Sequence, residues 1–222
     1  MSGFATARQK MVDGQVRTND VTDRRILDAM LALPREEFVP EDKRALAYLD
    51  LDLDVAASGA AKRFLVKPML TAKLLQAAEI LETDNVLIVG AASGYAAAVV
   101  AQFAAKVTAT ESDAALVTKG SEILGRLGLA ERVKFRVGEP FAGGPVDAPY
   151  DVIMLNGATE VVPDNLYGQL RDGGRLLGVF AMTRPPRAMI VRRSHGDFGI
   201  RPLFDAAAPL LPGLERVPEF NF

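Results

Sequence analysis

Apolar positions along the chain follow two rhythms, and the change from one to the other divides it. Near the N-terminus they recur at helical spacing. Ile26, Leu27, Met30, Leu31 and Leu33 lie between Val21-Thr22-Asp23 and Pro34, which predicts a helix capped by Thr22 with one buried face. Residues 41–48 predict a second, small helix. Residues 49–54 alternate leucine with aspartate, a period of two that suits a short edge strand or an extended loop. A second long helix follows Lys67-Pro68, with Leu70, Leu74, Ala77, Ala78 and Leu81 as its stripe. The residue before a proline is biased to extended backbone, and proline suits a first helical turn.

From residue 86 the rhythm changes. Val86-Leu87-Ile88-Val89 is a continuous apolar run, as expected of a parallel strand covered on both faces. Further strands are predicted at 107–110, 133–137, 151–155 and 176–180, with helices at 112–127 and 162–170 between them. A closing hairpin pairs 188–193 with 199–204 through Ser194-His195-Gly196-Asp197. Strand and helix alternating in this way predict an α/β fold: a doubly wound, mostly parallel Rossmann-like sheet with a C-terminal antiparallel hairpin. The expected organisation is a helical extension over residues 1–65 packed on a core domain over 66–222.

Composition narrows the function classes. Of 222 residues, 49% are hydrophobic and 24% charged, with a net charge of −2. That balance describes an ordinary globular protein and argues against a primary nucleic-acid or membrane-surface role. Cysteine is absent, which removes disulfides and thiolate chemistry. The single histidine, His195, falls in the predicted hairpin turn, and no clustered ligands suggest a metal site. MSGFATARQK lacks the apolar stretch of a secretory signal, and the apolar run 96–105 is interrupted by Gln102, so a cytoplasmic protein is expected.

The candidate chemistry sits where the first parallel strand ends. Gly90-Ala91-Ala92-Ser93-Gly94-Tyr95 is a turn of small residues opening a helix, a place where a ligand can reach main-chain N–H groups. Glu111 closes the next strand about twenty residues on, the position of an acid that accepts from ribose hydroxyls. An adenosine-type ligand follows from the pair. Gly-x-Gly-x-x-Gly and a Tyr-x-x-x-Lys proton donor are both missing, which makes a dehydrogenase the weaker reading.

Several blocks together resemble the protein-L-isoaspartate O-methyltransferase family of class I S-adenosylmethionine-dependent methyltransferases. Met11-Val12-Asp13-Gly14-Gln15-Val16-Arg17 is similar to its opening helix. Leu33-Pro34-Arg35-Glu36-Glu37-Phe38-Val39-Pro40 carries its Pro-Arg-x-x-Phe-Val-Pro signature, and Ala47-Tyr48-Leu49-Asp50 follows in order. Residues 86–95 resemble its first cofactor motif. Pro149-Tyr150-Asp151-Val152-Ile153 and Gln169-Leu170-x-x-Gly173-Gly174-Arg175-Leu176 resemble its later strands. The resemblance implies S-adenosyl-L-methionine as cofactor, cradled by Gly90, Ala91, Ala92, Ser93, Gly94 and Tyr95, with Glu111 on the ribose and Glu139 near the adenine. It implies carboxyl methylation of a protein or peptide acceptor, the chemistry of protein repair.

The chain departs from the family pattern at the chemistry. Val66 stands at the family's active-site serine and has no hydroxyl. Ile88 replaces the strand acid, Ala92 a glycine, and Gly138-Glu139-Pro140 a Gly-Asp-Gly. Ala92 adds a Cβ where backbone would approach the ligand, and Pro140 removes a donor. Lys67 is a candidate to orient the acceptor carboxylate, against the reading of a solvated lysine before proline. Asn156 is a candidate polar contact near the transferred methyl, against that of a strand-ending turn residue. Two alternatives to isoaspartyl methylation therefore stay open: methylation of another acceptor, and a non-catalytic binding or scaffold protein that kept the fold.

Overall fold

The computed structural model of the chain describes residues 3–217. Helix α1 spans Gly3–Met11 and runs on through a wide π turn at Val12–Val16 and a tight 3-10 turn at Arg17–Asn19 to α2, Arg24–Ala32. The cap of α2 is Asp23, not the expected Thr22: its carboxylate accepts the Arg25 N–H at 2.9 Å. The Thr22 N–H is engaged elsewhere, by Gln76 Oε1 at 2.6 Å. The predicted helix at 41–48 is a 3-10 stretch, Glu41–Leu46, because it has no apolar stripe of helical period to bury.

Only the end of the Leu/Asp alternation is a strand. Leu53–Asp54 (β1) pairs antiparallel with Phe64–Leu65 (β2). The preceding aspartates instead satisfy the start of α3, Pro68–Ala78. Asp52 accepts from the Lys67 N–H at 2.9 Å and Asp50 from the Met69 N–H at 3.1 Å, taking two donors that a helix start leaves free. Helix α3 ends three residues earlier than its stripe predicts, at Glu79 in the left-handed region (φ 51°). Leu81, expected in that stripe, is exposed.

The central sheet has seven strands: β3 (Asn85–Val89), β4 (Lys106–Glu111), β5 (Val133–Val137), β6 (Tyr150–Thr159), β7 (Leu170–Phe180), β8 (Arg187–Ser194) and β9 (Asp197–Asp205), in the order β5-β4-β3-β6-β7-β8-β9. The first five are parallel, and β8 and β9 form the expected antiparallel hairpin. Helices α4 (Tyr95–Val100) and α5 (Ala114–Arg126) make the crossovers on one side of β3. Chain order reverses at β3, so a crevice is expected above the carboxyl ends of β3, β4 and β6.

Two expected boundaries fail between β6 and β7. Strand β6 does not stop at 155 but continues through Asn156-Gly157 to Thr159, with a register shift between Met154 and Ala158. The helix expected over 162–170 is a single turn, α6, Asp164–Tyr167, since Leu170 already pairs with Tyr150. Alternate residues of β3 face different cores. Val86 and Ile88 pack with the N-terminal helices, α3 and α4, whereas Leu87 and Val89 pack with Ile153, Leu155, Leu166 and Leu211. Among the described residues, no helix is long and apolar enough to cross a membrane.

Candidate functional site

The turn after β3 carries three residues in the left-handed region: Gly90 (φ 66°), Ala92 (φ 51°) and Gly94 (φ 95°). Glycine adopts this backbone freely; Ala92 does so with a Cβ, which costs on the order of 1 kcal/mol. The turn's donors serve the chain itself. The Ala91 N–H bonds the Thr110 carbonyl at 2.9 Å, and Gly94 bonds that of Ala91 at 2.8 Å. The Ala92 N–H donates to Glu111 Oε2 at 2.9 Å.

Ser93 and Tyr95, expected to cradle a ligand, face the N-terminal segment. The Ser93 hydroxyl donates to the Phe38 carbonyl at 2.6 Å. The Tyr95 ring meets Phe38 edge-on at 5.3 Å, and the Arg35 guanidinium lies 4.7 Å from its centroid. Arg35 is wholly buried and donates to the carbonyls of Ala47 and Val66 at 2.8 and 2.9 Å. Burial lowers its pKa and raises that of the Tyr95 phenol. The signature around Pro34-Arg35 thus clamps the turn from outside and holds Val66 by its main chain.

Val66 is itself buried in the core and lies outside the lining of the crevice. Lys67, next to it, is fixed through its N–H on Asp52. Glu139 is exposed on the turn after β5, where its carbonyl accepts from Ala142 and Gly143. Ile88, in place of an acid, is fully buried in the core beneath α4.

Gly90, Ala92, Glu111 and Asn156 do come together. Asn156 Nδ2 donates to the Gly90 carbonyl at 2.9 Å, tying β6 to the turn. Glu111, at the end of β4, is 1% exposed. Its carboxylate accepts from the Ala92 N–H, from the Asp113 N–H at 3.1 Å, and from Arg63 Nε at 2.9 Å. A buried carboxylate needs such partners, and here the chain supplies them all.

Two groups that sequence reasoning missed complete the site. Arg63 ends the loop between β1 and β2 and also donates to the Ser112 hydroxyl at 2.8 Å. Leu211 lies on a strap after β9; a Cβ placed on Gly90 would sit 2.3 Å from its Cδ2. The strap is held by main-chain bonds: the Ala158 N–H donates to the Pro209 carbonyl at 2.8 Å, and the Leu211 N–H to that of Ala158 at 2.9 Å. Between loop and strap, the crevice keeps a free volume of about 10 Å³. That is room for one water, whereas small-ligand sites span roughly 300–1,000 Å³. The residues facing the crevice do not fit an adenosine-type cofactor in this conformation. The loop's Lys62-Arg63 and the Pro209-Leu210-Leu211-Pro212 run are visible in sequence, but no local pattern places either against Glu111.

Comparison with known proteins gives a consistent result. The sequence profile described as protein-L-isoaspartate(D-aspartate) O-methyltransferase matches residues 6–202. A protein-L-isoaspartate O-methyltransferase from Roseiflexus sp. (strain RS-1) is 34% identical over 221 residues, covering 97% of this chain and 99% of that one. Another, from Methylorubrum extorquens (strain PA1), is 35% identical over 208 residues, covering 90% and 89%. A solved protein-L-isoaspartate O-methyltransferase superposes with a TM-score of 0.82 at 25% identity, over 94% of this chain and 67% of that one. A Plasmodium falciparum structure assigned to the same activity, in complex with S-adenosyl-L-homocysteine, shares the fold with a TM-score of 0.76 at 16% identity, over 95% and 99%.

Proposed function

The chain belongs to the protein-L-isoaspartate O-methyltransferase family, and on that premise we propose that it is an S-adenosylmethionine-linked carboxyl O-methyltransferase acting on carboxylates of protein or peptide acceptors. One observation carries the reading beyond family membership. The left-handed turn at Gly90, Ala92 and Gly94 is joined directly to a strand-end acid, Glu111, through the Ala92 N–H at 2.9 Å. When bound, the methyl donor would supply an electrophilic methyl group on its sulfonium. The conformation described leaves no room for it beside Glu111.

The chain's own contribution follows from the acceptor. A carboxylate is ionised near neutrality, so the reaction calls for alignment and desolvation of an oxygen, with no strong base. Val66, without a hydroxyl and turned into the core, removes an orienting group, not a base. Lys67 and Asn156 remain the candidates for holding the acceptor and the methyl end of the donor. Supplying labelled S-adenosylmethionine with an isoaspartyl peptide tests the reading. Label should enter the isoaspartyl peptide and not its ordinary aspartyl counterpart. Equal labelling of both moves the reading to another acceptor; no labelling of any peptide at a donor concentration shown to occupy the protein removes it.

A second reading, a binding or scaffold protein that kept the fold, is favoured by one specific observation. The space above Glu111 is closed to about 10 Å³ by the chain's own side chains.

A further inference from the structure

The two elements closing the crevice are not equally fixed. The strap is annealed to β6: besides the bonds at Ala158, the Glu160 N–H donates to the Leu214 carbonyl at 2.8 Å, and Leu211 and Leu214 are buried. The loop is held at its root. The Val55 N–H donates to the Arg63 carbonyl at 2.8 Å and the Ala56 N–H to Asp54 Oδ1 at 3.1 Å. Between these ties, residues 57–62 are exposed. What fastens the loop over the crevice is the Arg63 side chain, with Nε on Glu111 and Nη2 on Ser112.

Space for a larger ligand lies across the same loop. A groove of about 560 Å³ runs between it and the start of α5, with Lys43, Ala57, Gly59, Lys119 and Leu116 in its walls. Lys62 lines both that groove and the small crevice above Glu111. Lifting Arg63 would therefore do two things. It takes the guanidinium off Glu111 Oε1, which keeps the Asp113 N–H, and it joins the crevice to a groove within the size range of small-ligand sites.

We propose that Arg63 is the latch of an autoinhibited donor cleft: the chain's own guanidinium occupies Glu111 in place of the donor's ribose hydroxyls, and the donor enters only when the Arg63 side chain leaves Glu111 and the exposed loop residues before it give way. The inference rests on the methyltransferase reading above. It makes the shut crevice a resting state instead of a lost site, and it assigns the opening to the Arg63 side chain and residues 57–62 while Leu211 and its strap stay in place.

Calorimetry with S-adenosyl-L-homocysteine tests the latch. Wild type should bind no tighter than about 1 mM, a 4 kcal/mol interaction. Arg63→Ala should tighten binding at least tenfold, and Arg63→Lys, which keeps a cation on Glu111, should stay near wild type. Arg63→Gln keeps a hydrogen-bonding head without the charge and should fall between; it serves if Arg63→Ala does not fold. Thermal unfolding of Arg63→Ala with and without Glu111→Gln reads the pair without any ligand: the second change should restore part of the loss in Tm. Tight binding by wild type, unchanged in Arg63→Ala, overturns the latch and leaves the methyltransferase reading standing. Tightened binding with no transfer to any carboxyl peptide upholds the latch and removes that reading. Binding by no variant overturns both.

Discussion

Two buried arginine–carboxylate pairs sit at opposite ends of the sheet and do different work. At the amino end, Arg175 on β7 meets Asp84, just before β3, at 2.8 Å; the side chains are 9% and 1% exposed. At the carboxyl end, Arg63 meets Glu111 at 2.9 Å, at 14% and 1%. Chemistry and burial nearly match. The surroundings do not. Arg175 also donates to the carbonyls of Ala78, Glu79 and Asp151 at 2.5, 2.8 and 3.3 Å, so one guanidinium joins the end of α3, the start of β6 and β7. Asp84 accepts in turn from the Leu81 N–H at 3.0 Å. Arg63 has its Glu111 and Ser112 contacts, plus a carbonyl on its own loop, that of Lys62 at 2.9 Å. A buried ion pair with ties to three elements is framework; one that ends on an exposed loop can be released.

The largest effect should come from breaking the framework pair. Removing one partner of a buried pair typically costs about 3–5 kcal/mol, so Arg175→Ala should lower Tm by roughly 10 °C, given about 2–4 °C per kcal/mol at this size. Urea unfolding provides the stability difference directly. Arg63→Ala should lose less, about 1–2 kcal/mol, because Glu111 retains the Ala92 and Asp113 N–H donors and water can enter at the loop. Equal losses in the two variants would erase the distinction between framework and latch. A smaller loss sharpens it from the side of the loop's neighbour: Asp52→Ala removes the acceptor of the Lys67 N–H at the start of α3 and should cost about 1 kcal/mol, as other lost helix caps do. That change should leave any binding at Glu111 where it was.

The same contrast explains what could be read from sequence. Asn85–Val89, the Gly90 turn and Glu111 are local patterns: an apolar run, small residues, and an acid at a fixed distance. They were legible because strand, turn and strand end follow from neighbours in the chain. The Pro34–Pro40 signature was legible as a pattern, yet its purpose was not. Only folding shows Arg35 and Phe38 gripping Tyr95, and so turning Tyr95 and Ser93 away from the crevice. Arg63 reaches Glu111 across 48 residues, and Leu211 is laid on Gly90 by a strap bonded to β6. Neither has a periodic or spacing signal. Asn156 illustrates the intermediate case: it was expected to end β6, but the strand runs on through a register shift, and its amide ties down the Gly90 carbonyl.

A third carboxylate pairing marks the weak end of the scale and predicts the smallest effect. Asp147 faces Lys134 at 2.6 Å and Arg136 at 3.0 Å, cations that are 61% and 44% exposed. The hydrogen bond from Lys134, with help from Arg136 and against partial burial, holds its pKa below the ordinary carboxylate range. The folded state therefore binds this proton less readily than the unfolded chain. Its contribution is complete above the unfolded value, about 3.9, and is lost as pH falls through the lower folded value. Exposed pairs of this kind contribute a few tenths of a kcal/mol, up to about 1. Asp147→Asn should accordingly be less stable than wild type by about that much in urea at pH 7, and the gap should close as pH falls below about 4. Added salt at pH 7 should narrow it as well, since both cations are open to counterions. A gap unchanged by acid and salt would mean that Asp147 acts through its packing and not its charge, and would set it beside Asp84 instead of opposite it.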